Sequence, residues 1–352
     1  MTKFINYMIV WKVILIIIFL YQTYLQRKNN IIFQNGDSFL QKGDYLIINE
    51  LYHMFNKLLY RNNSFSNINA NYYINYNFSK NNNSKNLLCT IGKNENLYAK
   101  EFVEYYYALG FDKIIIFDNN DFNGENFYDV LKNYISQKIV DIINVRGLKY
   151  IQVPSFYYCY KKNMYLYDWI AFFDFDEYLF IENKLGIKNY LSNNFKNCQS
   201  ILFNWYEYND NDLLRYDNRT LNKRFNTLKS VSNMTKFMVR GNLNDFLIFS
   251  LHLPSNINYC NSKGEVYKPT SFKNLPREFN SKAYIKHFRT KTAEEYCNKL
   301  LRGDAQFGSF SKYKLYRKIN RYFFSLNKKT PEKINIFQKC LKITNITDFN
   351  SY

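Results

Sequence analysis

The sequence predicts an α/β fold, a mostly parallel sheet flanked by helices, carried behind an N-terminal membrane anchor. Three observations predict it. From residue 86 onward, short apolar runs of strand length alternate with helical patterns of about 10 to 15 residues, as in sheets whose crossovers are helices. One of those runs, "WIAFF" (Trp169–Phe173), leads straight into three carboxylates, Asp174, Asp176 and Glu177. Finally, "MIVWKVILIIIFLYQTYL" (Met8–Leu25) is apolar for about 18 residues, enough for a helix to span a bilayer.

Residues 1–28 read as the anchor. Lys12 interrupts the apolar run early and lies close enough to one end to reach the interface. No small-residue cleavage site is visible after it, which favours an uncleaved anchor over a removable signal peptide; an apolar core helix is the alternative. Lys3 and Lys12 on one side balance Arg27 and Lys28 on the other, so orientation is weakly specified. Residues 29–85, rich in Asn, Ser and Tyr, read as a tether. The N-x-S/T triplets at Asn62, Asn77, Asn82, Asn218, Asn233 and Asn345 are what chance delivers in so Asn-rich a chain, and prove no glycosylation.

The domain spans 86–325. "NLLCTIG" (86–92) is a buried strand, and the helix after it carries Tyr98, Phe102, Tyr105, Tyr106 and Leu109 at helical spacing with Gly110 as its stop. "KIIIFD" (113–118) is the second strand, "GENFYDVLKNYI" (124–135) a helix and "KIVDIINV" (138–145) the third strand. A helix around 153–165, the strand 168–174, a short helix at 186–195 and the strand "QSILFNWY" (199–206) continue the alternation. Beyond it, "KFMVRG" (236–241), "FLIFSLHL" (246–253) and "AYIKHFR" (283–289) read as strands, with helices after them at 292–303 and around 307–324. Residues 326–352 read as a tail; no repeat and no clearly separate second core is visible.

The formal net charge is +19, but the lysines are scattered and no zinc-finger or RNP-like motif accompanies them. That argues against nucleic acid and for an anionic nucleotide or a membrane surface. AT-rich coding accounts for much of the Asn, Ile, Lys, Tyr and Phe. The six cysteines lie far apart with no C-x-x-C pair, which excludes a zinc ribbon. Disulfides in an oxidising lumen stay open; Cys89 and Cys159, in apolar segments, read as buried thiols.

Burying carboxylates costs several kcal/mol unless their charge is compensated. Asp174 and Asp176, one residue apart where a buried strand ends, can converge on one hard divalent cation, Mn²⁺ or Mg²⁺. Such a cation bridges a diphosphate and neutralises the charge that grows as it leaves. Strand C-terminal ends are also where ligands bind in sheets of this kind.

From about residue 86 to 305 the chain resembles glycosyltransferase family 92 and its GT-A-fold relatives. Four stretches carry the resemblance in order: "GKNENLYAKEFVEYYYALGFDKIIIFDNND", "WIAFFDFDEYL", "TKFMVR" with "LHL" after it, and "YIKHFRTKTAEEYCNKLLRGD". Phe102 and Tyr106 stand where the family usually has Trp and His, and Glu207 and Asp210 intrude after "NWY". The resemblance implies a GT-A fold and transfer of a sugar from a nucleotide diphosphate donor, a UDP-sugar such as UDP-galactose, to a glycan acceptor on protein, lipid or polysaccharide. It implies Mn²⁺ (or Mg²⁺) held by Asp174 and Asp176, with His287 or, as second choice, His252 returning as a further ligand. Asn94, Glu95, Asp118 and Asp174 would cradle the nucleotide and Lys236, Arg240 and Arg289 the diphosphate. Glu177 orients a ligand or caps the next turn. An inverting transfer needs a general base, for which Glu207 and Asp210 are candidates by location. In a eukaryote the domain would face the Golgi or ER lumen. A phosphotransferase or nuclease would normally show more carboxylates, for a second metal; a non-catalytic membrane-anchored glycan-binding protein is the other alternative.

Overall fold

β1 (Asn86–Gly92) is buried along its whole length, the environment that an unbroken run such as "LLCTI" requires. In the computed structural model, residues 84–342 are described apart from 245, 247, 249, 254–256, 268–276, 278–280 and 304–309. The expected anchor at 1–28 and the tether up to residue 83 lie outside the described residues. Among the described residues no helix is long and apolar enough to cross a membrane.

α1 (Asn96–Leu109) comes after β1 and lays Tyr98, Ala99, Phe102, Val103 and Tyr106 on the core. It ends at Gly110, whose φ of 103° lets its N–H bond the carbonyls of Tyr106 and Tyr107. β2 (Lys113–Asp118), α2 (Phe127–Ser136), β3 (Val140–Asn144), α3 (Gln152–Asn163) and β4 (Trp169–Phe172) complete a run of helical crossovers. Across it, β3, β2, β1 and β4 are all parallel neighbours.

The second half is built differently. β5 (Glu177–Ile181) comes almost at once, then α4 (Ile187–Asn194), β6 (Ser200–Tyr208), α5 (Leu221–Arg224), β7 (Leu228–Arg240), the short β8 (Tyr259–Cys260) and β9 (Val266–Tyr267), and β10 (Ala283–His287). The sheet order is β3-β2-β1-β4-β7-β6-β10-β5, with β8 added on β6 and β9 on β8. β7 runs antiparallel to both β4 and β6, and β5 antiparallel to β10. The sheet is therefore mixed, which corrects the expectation of a mostly parallel one. The reason lies in the β6–β7 connection: its only helix, α5, has four residues, too short to carry a parallel crossover.

Residues 246–253, expected to form a strand, lie outside any strand where they are described. Phe246, Ile248 and Leu251 are buried instead, with the Phe246 ring 4.3 Å from that of Tyr160, so their apolar character serves loop packing. The last elements among the described residues are α6 (Ala293–Arg302), α7 (Lys312–Arg317) running into a π-helical turn (Lys318–Phe323), and α8 (Pro331–Leu341). Tyr296, Leu300, Ile319, Phe323 and Phe337 form a second, smaller apolar cluster among these helices. Disulfides join Cys89 to Cys159, Cys198 to Cys260 and Cys297 to Cys340. Cys89 and Cys159 are buried as expected, but bonded rather than free.

Candidate active site

The acidic stretch is a tight turn between β4 and β5. The Glu177 N–H donates to the Asp174 carbonyl (3.0 Å), and the Asp174 N–H donates to Glu177 Oε2 (2.8 Å). Phe175 points inward against the rings of Phe102 (4.7 Å between centroids) and Phe127 (5.4 Å). The middle residue is thereby fixed in the core, while Asp174 on one side of it keeps 30% of its side chain exposed and Asp176 on the other meets Lys299. Gly92 makes room for this: a Cβ there would come within 2.6 Å of both Phe127 and Phe175.

Each carboxylate has a cation. Lys236 Nζ, fully buried on β7, lies 2.7 Å from Asp174 Oδ2 and 3.3 Å from Glu177 Oε2. Burial alone would lower the Lys236 pKa, but the two carboxylates push it up to about 12, so it stays charged. Gln152 Nε2 donates to the other Asp174 oxygen (2.9 Å). Lys299 Nζ, from α6, lies 2.6 Å from Asp176 Oδ2. Burial would raise the Asp176 carboxyl; Lys299, His287 and Lys291 more than reverse that and hold it ionised. Glu177 is pushed well up, by burial first and by its two acidic neighbours, against the pull of Lys236.

His287 reaches the turn because of strand register. It ends β10, opposite Glu177 of β5 on one side and Glu207 of β6 on the other. Its Nε2 lies 3.8 Å from Asp176 Oδ1, and its Nδ1 3.7 Å from Glu207 Oε1. Ligand atoms of Asp176, Glu177 and His287 all fall within 4.8 Å of one another. Glu207 is buried, lies 3.1 Å from Arg289, and is held below the usual carboxylate range because His287 and Arg289 outweigh burial.

The other expected site residues divide. Asn94 and Glu95 stand at the tip of β1, where Glu95 is gripped by Arg302 (2.5 Å) with Lys291 at 3.7 Å. Asp118, register partner of Gly92, is buried in a pair with Arg146 (2.9 Å) and accepts from the backbone and side-chain N–H groups of Asn120. Arg240 is at the opposite end: it pairs with Trp169, where β4 begins, caps the carbonyls of Phe195 and Cys198, and stacks on the Trp169 ring. It therefore cannot meet a diphosphate at the Asp174 turn. Asp210 is committed to Lys333 of α8 (2.5 Å), which removes it as a base and makes it the anchor of the C-terminal helix. His252 lies behind Trp205, whose ring contacts both histidines, and bonds the Thr235 carbonyl, so it is not in the ligand cluster. Lys236 is sealed between Asp174 and Glu177 and offers nothing to a phosphate.

Sequence reasoning missed Lys291, Lys299 and Arg302. A signal was present: Glu295, Lys299 and Arg302 recur at i, i+4 and i+7, one face of α6, while Tyr296, Cys297 and Leu300 cover the face turned to the small cluster.

A family model described as glycosyltransferase family 92 matches residues 88–324. A glycosyltransferase family 92 protein of Ricinus communis is 26% identical over 106 residues, 30% of this chain and 19% of that protein, so the match spans less than a fifth of the relative's length. Among solved structures, S. aureus TarS is 11% identical over 73% of this chain and 79% of that one, with a TM-score of 0.32. S. aureus TarS in complex with UDP is 13% identical over 37% and 38%, with a TM-score of 0.28; both likenesses are weak. The matched segment covers well over half of the 352 residues and contains the whole acidic turn, β10 and α6: the chain belongs to glycosyltransferase family 92.

Proposed function

We propose that the domain transfers a sugar from a nucleotide diphosphate donor, a UDP-sugar, to a glycan hydroxyl, with a divalent cation held by Asp176, Glu177 and His287. The observation that carries this reading is the convergence of those three groups at the C-terminal end of β4, with Lys299 against Asp176 and Lys236 against Glu177. The residues fit a metal on two counts. Carboxylate oxygens with one imidazole suit Mn²⁺. Charge also favours it: among the described residues, the three carboxylates in the turn are in contact with two ammonium groups, Lys236 and Lys299, and Glu177 Oε1 is buried without a hydrogen-bond partner. When bound, the cation would neutralise charge on the leaving diphosphate.

The protein's own groups do the rest. Lys236 locks the turn. Asp174, the most open of the three carboxylates with 30% of its side chain exposed, is held by Lys236 and Gln152 in position for the ribose hydroxyls. Arg289, Lys291, Lys299 and Arg302 all come from one segment and supply positive charge for the phosphates. Glu207, clamped by Arg289 and facing His287, orients both; transfer with inversion belongs to the same reading and is checked by the anomeric configuration of the product. The three disulfides support residence in an oxidising compartment.

The test is a panel of nucleotide sugars, UDP-galactose first, incubated with the protein and Mn²⁺ and monitored for slow donor hydrolysis. Hydrolysis of one donor, abolished by chelator and by Asp176→Asn, is expected. A folded protein that neither binds nor turns over any donor overturns the reading in favour of a non-catalytic glycan-binding protein.

A further inference from the structure

Two lysines serve the acidic turn, and their surroundings differ. Lys236 has no exposed side-chain surface and contacts two carboxylates from the middle of the sheet. Lys299 comes from the last turn of a helix, has 31% of its side chain exposed, and among the described residues bonds Asp176 Oδ2 (2.6 Å) and the Arg289 carbonyl (3.2 Å). A buried ammonium between two carboxylates cannot leave without stranding charge. A half-open one on a flexible four-carbon stem exchanges carboxylate for water or phosphate at little cost.

The oxygen that Lys299 holds belongs to the carboxylate whose other oxygen faces His287. Lys299 on one oxygen and a divalent cation beside His287 on the other would stand as two positive charges on one carboxylate, so each weakens the hold of the other. Counted only against the two ammonium groups in contact with it, Lys236 and Lys299, the turn with its three carboxyl groups written as carboxylates has one negative charge left over. With a divalent cation in place of Lys299 it is neutral. With both present it carries one positive charge, which an arriving diphosphate would compensate.

We infer that Lys299 is the exchangeable counter-ion of Asp176: it occupies the carboxylate while the site is empty, yields it to the divalent cation, and moves onto the diphosphate. This rests on the function proposed above. Its consequence is coupling. Metal alone binds against the lysine, whereas metal with nucleotide does not, so each tightens the other.

The experiment uses the full protein, with Mn²⁺ alone as one probe (free-ion signal by electron paramagnetic resonance) and UDP alone as the other (calorimetry). In the wild type, UDP should tighten Mn²⁺ binding about tenfold, within the usual range for coupled ligands. Lys299→Met should bind Mn²⁺ alone about tenfold more tightly than the wild type, bind UDP less tightly, and lose the coupling. Lys299→Arg, which keeps the charge, should retain wild-type coupling. Wild-type protein that binds both probes independently overturns the inference without need of any variant, as does a folded Lys299→Met with unchanged Mn²⁺ affinity. Wild-type protein that binds neither overturns the proposed function itself, and this inference with it.

Discussion

Lys236 is where a single substitution should do most harm to stability. Its ammonium is the only cation within salt-bridge reach of Glu177 among the described residues, and both side chains are fully buried. Lys236→Met would leave Glu177 buried without its partner, at a cost of roughly 3–5 kcal/mol, whereas Lys299→Met removes a partly exposed ammonium from a buried carboxylate that still faces His287, and should cost less. Urea unfolding of the two variants side by side checks the contrast. His252 gives a pH prediction. Burial, reinforced by Lys236, holds its pKa down to about 3 against an ordinary 6.5. The unfolded chain thus takes up a proton between those values that the folded chain refuses, so stability is full above about pH 6.5 and declines as pH falls toward 3. The contribution to the slope is about 1.4 kcal/mol per pH unit. His252→Gln should flatten it, measured as the shift in urea midpoint between pH 7.5 and 5.5. At this scale the sequence showed which residues are chemically unusual but not what they touch. Asp174, Asp176 and His287 were visible from motif and rarity; Arg240 and Asp210 looked equally suitable, and only strand register and the α8 contact separate them from the site.

Among the elements, the β1 tip and the acidic turn are mutually dependent through Gly92 and Phe175. Gly92→Ala would drive a methyl group into two rings that are themselves packed in the core, and overpacking of this kind costs about 1–3 kcal/mol. Because Phe175 lies between the two aspartates, the same variant should weaken Mn²⁺ binding; Leu88→Val, a core change elsewhere on β1, should lower the thermal midpoint and leave metal affinity alone. α6 is held by the Cys297–Cys340 bond to α8. Replacing both cysteines by alanine should cost about 2–4 kcal/mol and expose α8 to limited proteolysis ahead of the sheet. Most elements were legible because their apolar periodicity is strong: α1 ends at Gly110 where the helical pattern stops, and β1, β2, β6 and β10 fall within a residue or two of expectation. β5 was missed because it starts on the acidic motif itself, and α8 despite a start signal, Thr330 as cap with Pro331 next to it. The segment 246–253 was overread, since apolar residues packing as a loop have the composition of a strand.

For the molecule as a whole, the alternation of elements announced an α/β chain, but not which strands would pair. β4 and β5 are separated only by the acidic turn, yet they lie at distant positions in the sheet, with β7, β6 and β10 filed between them. Pairings of that kind depend on segments far apart in sequence, which no local pattern encodes. The disulfide connectivity was hidden for the same reason. Non-reducing peptide mapping should recover three linked pairs, and production in a reducing cytosol should lower the yield of folded protein relative to an oxidising compartment. The same connectivity bears on how the chain is made. Among the many arrangements open to six cysteines, each here joins the next one along the chain, so the loops lie end to end and never interlock. A growing polypeptide can therefore close its first loop before the cysteines of the second have been synthesised, and its second before those of the third. Every bond formed between the most recently available partners is already a correct one, and oxidation can keep pace with synthesis without any bond having to be undone.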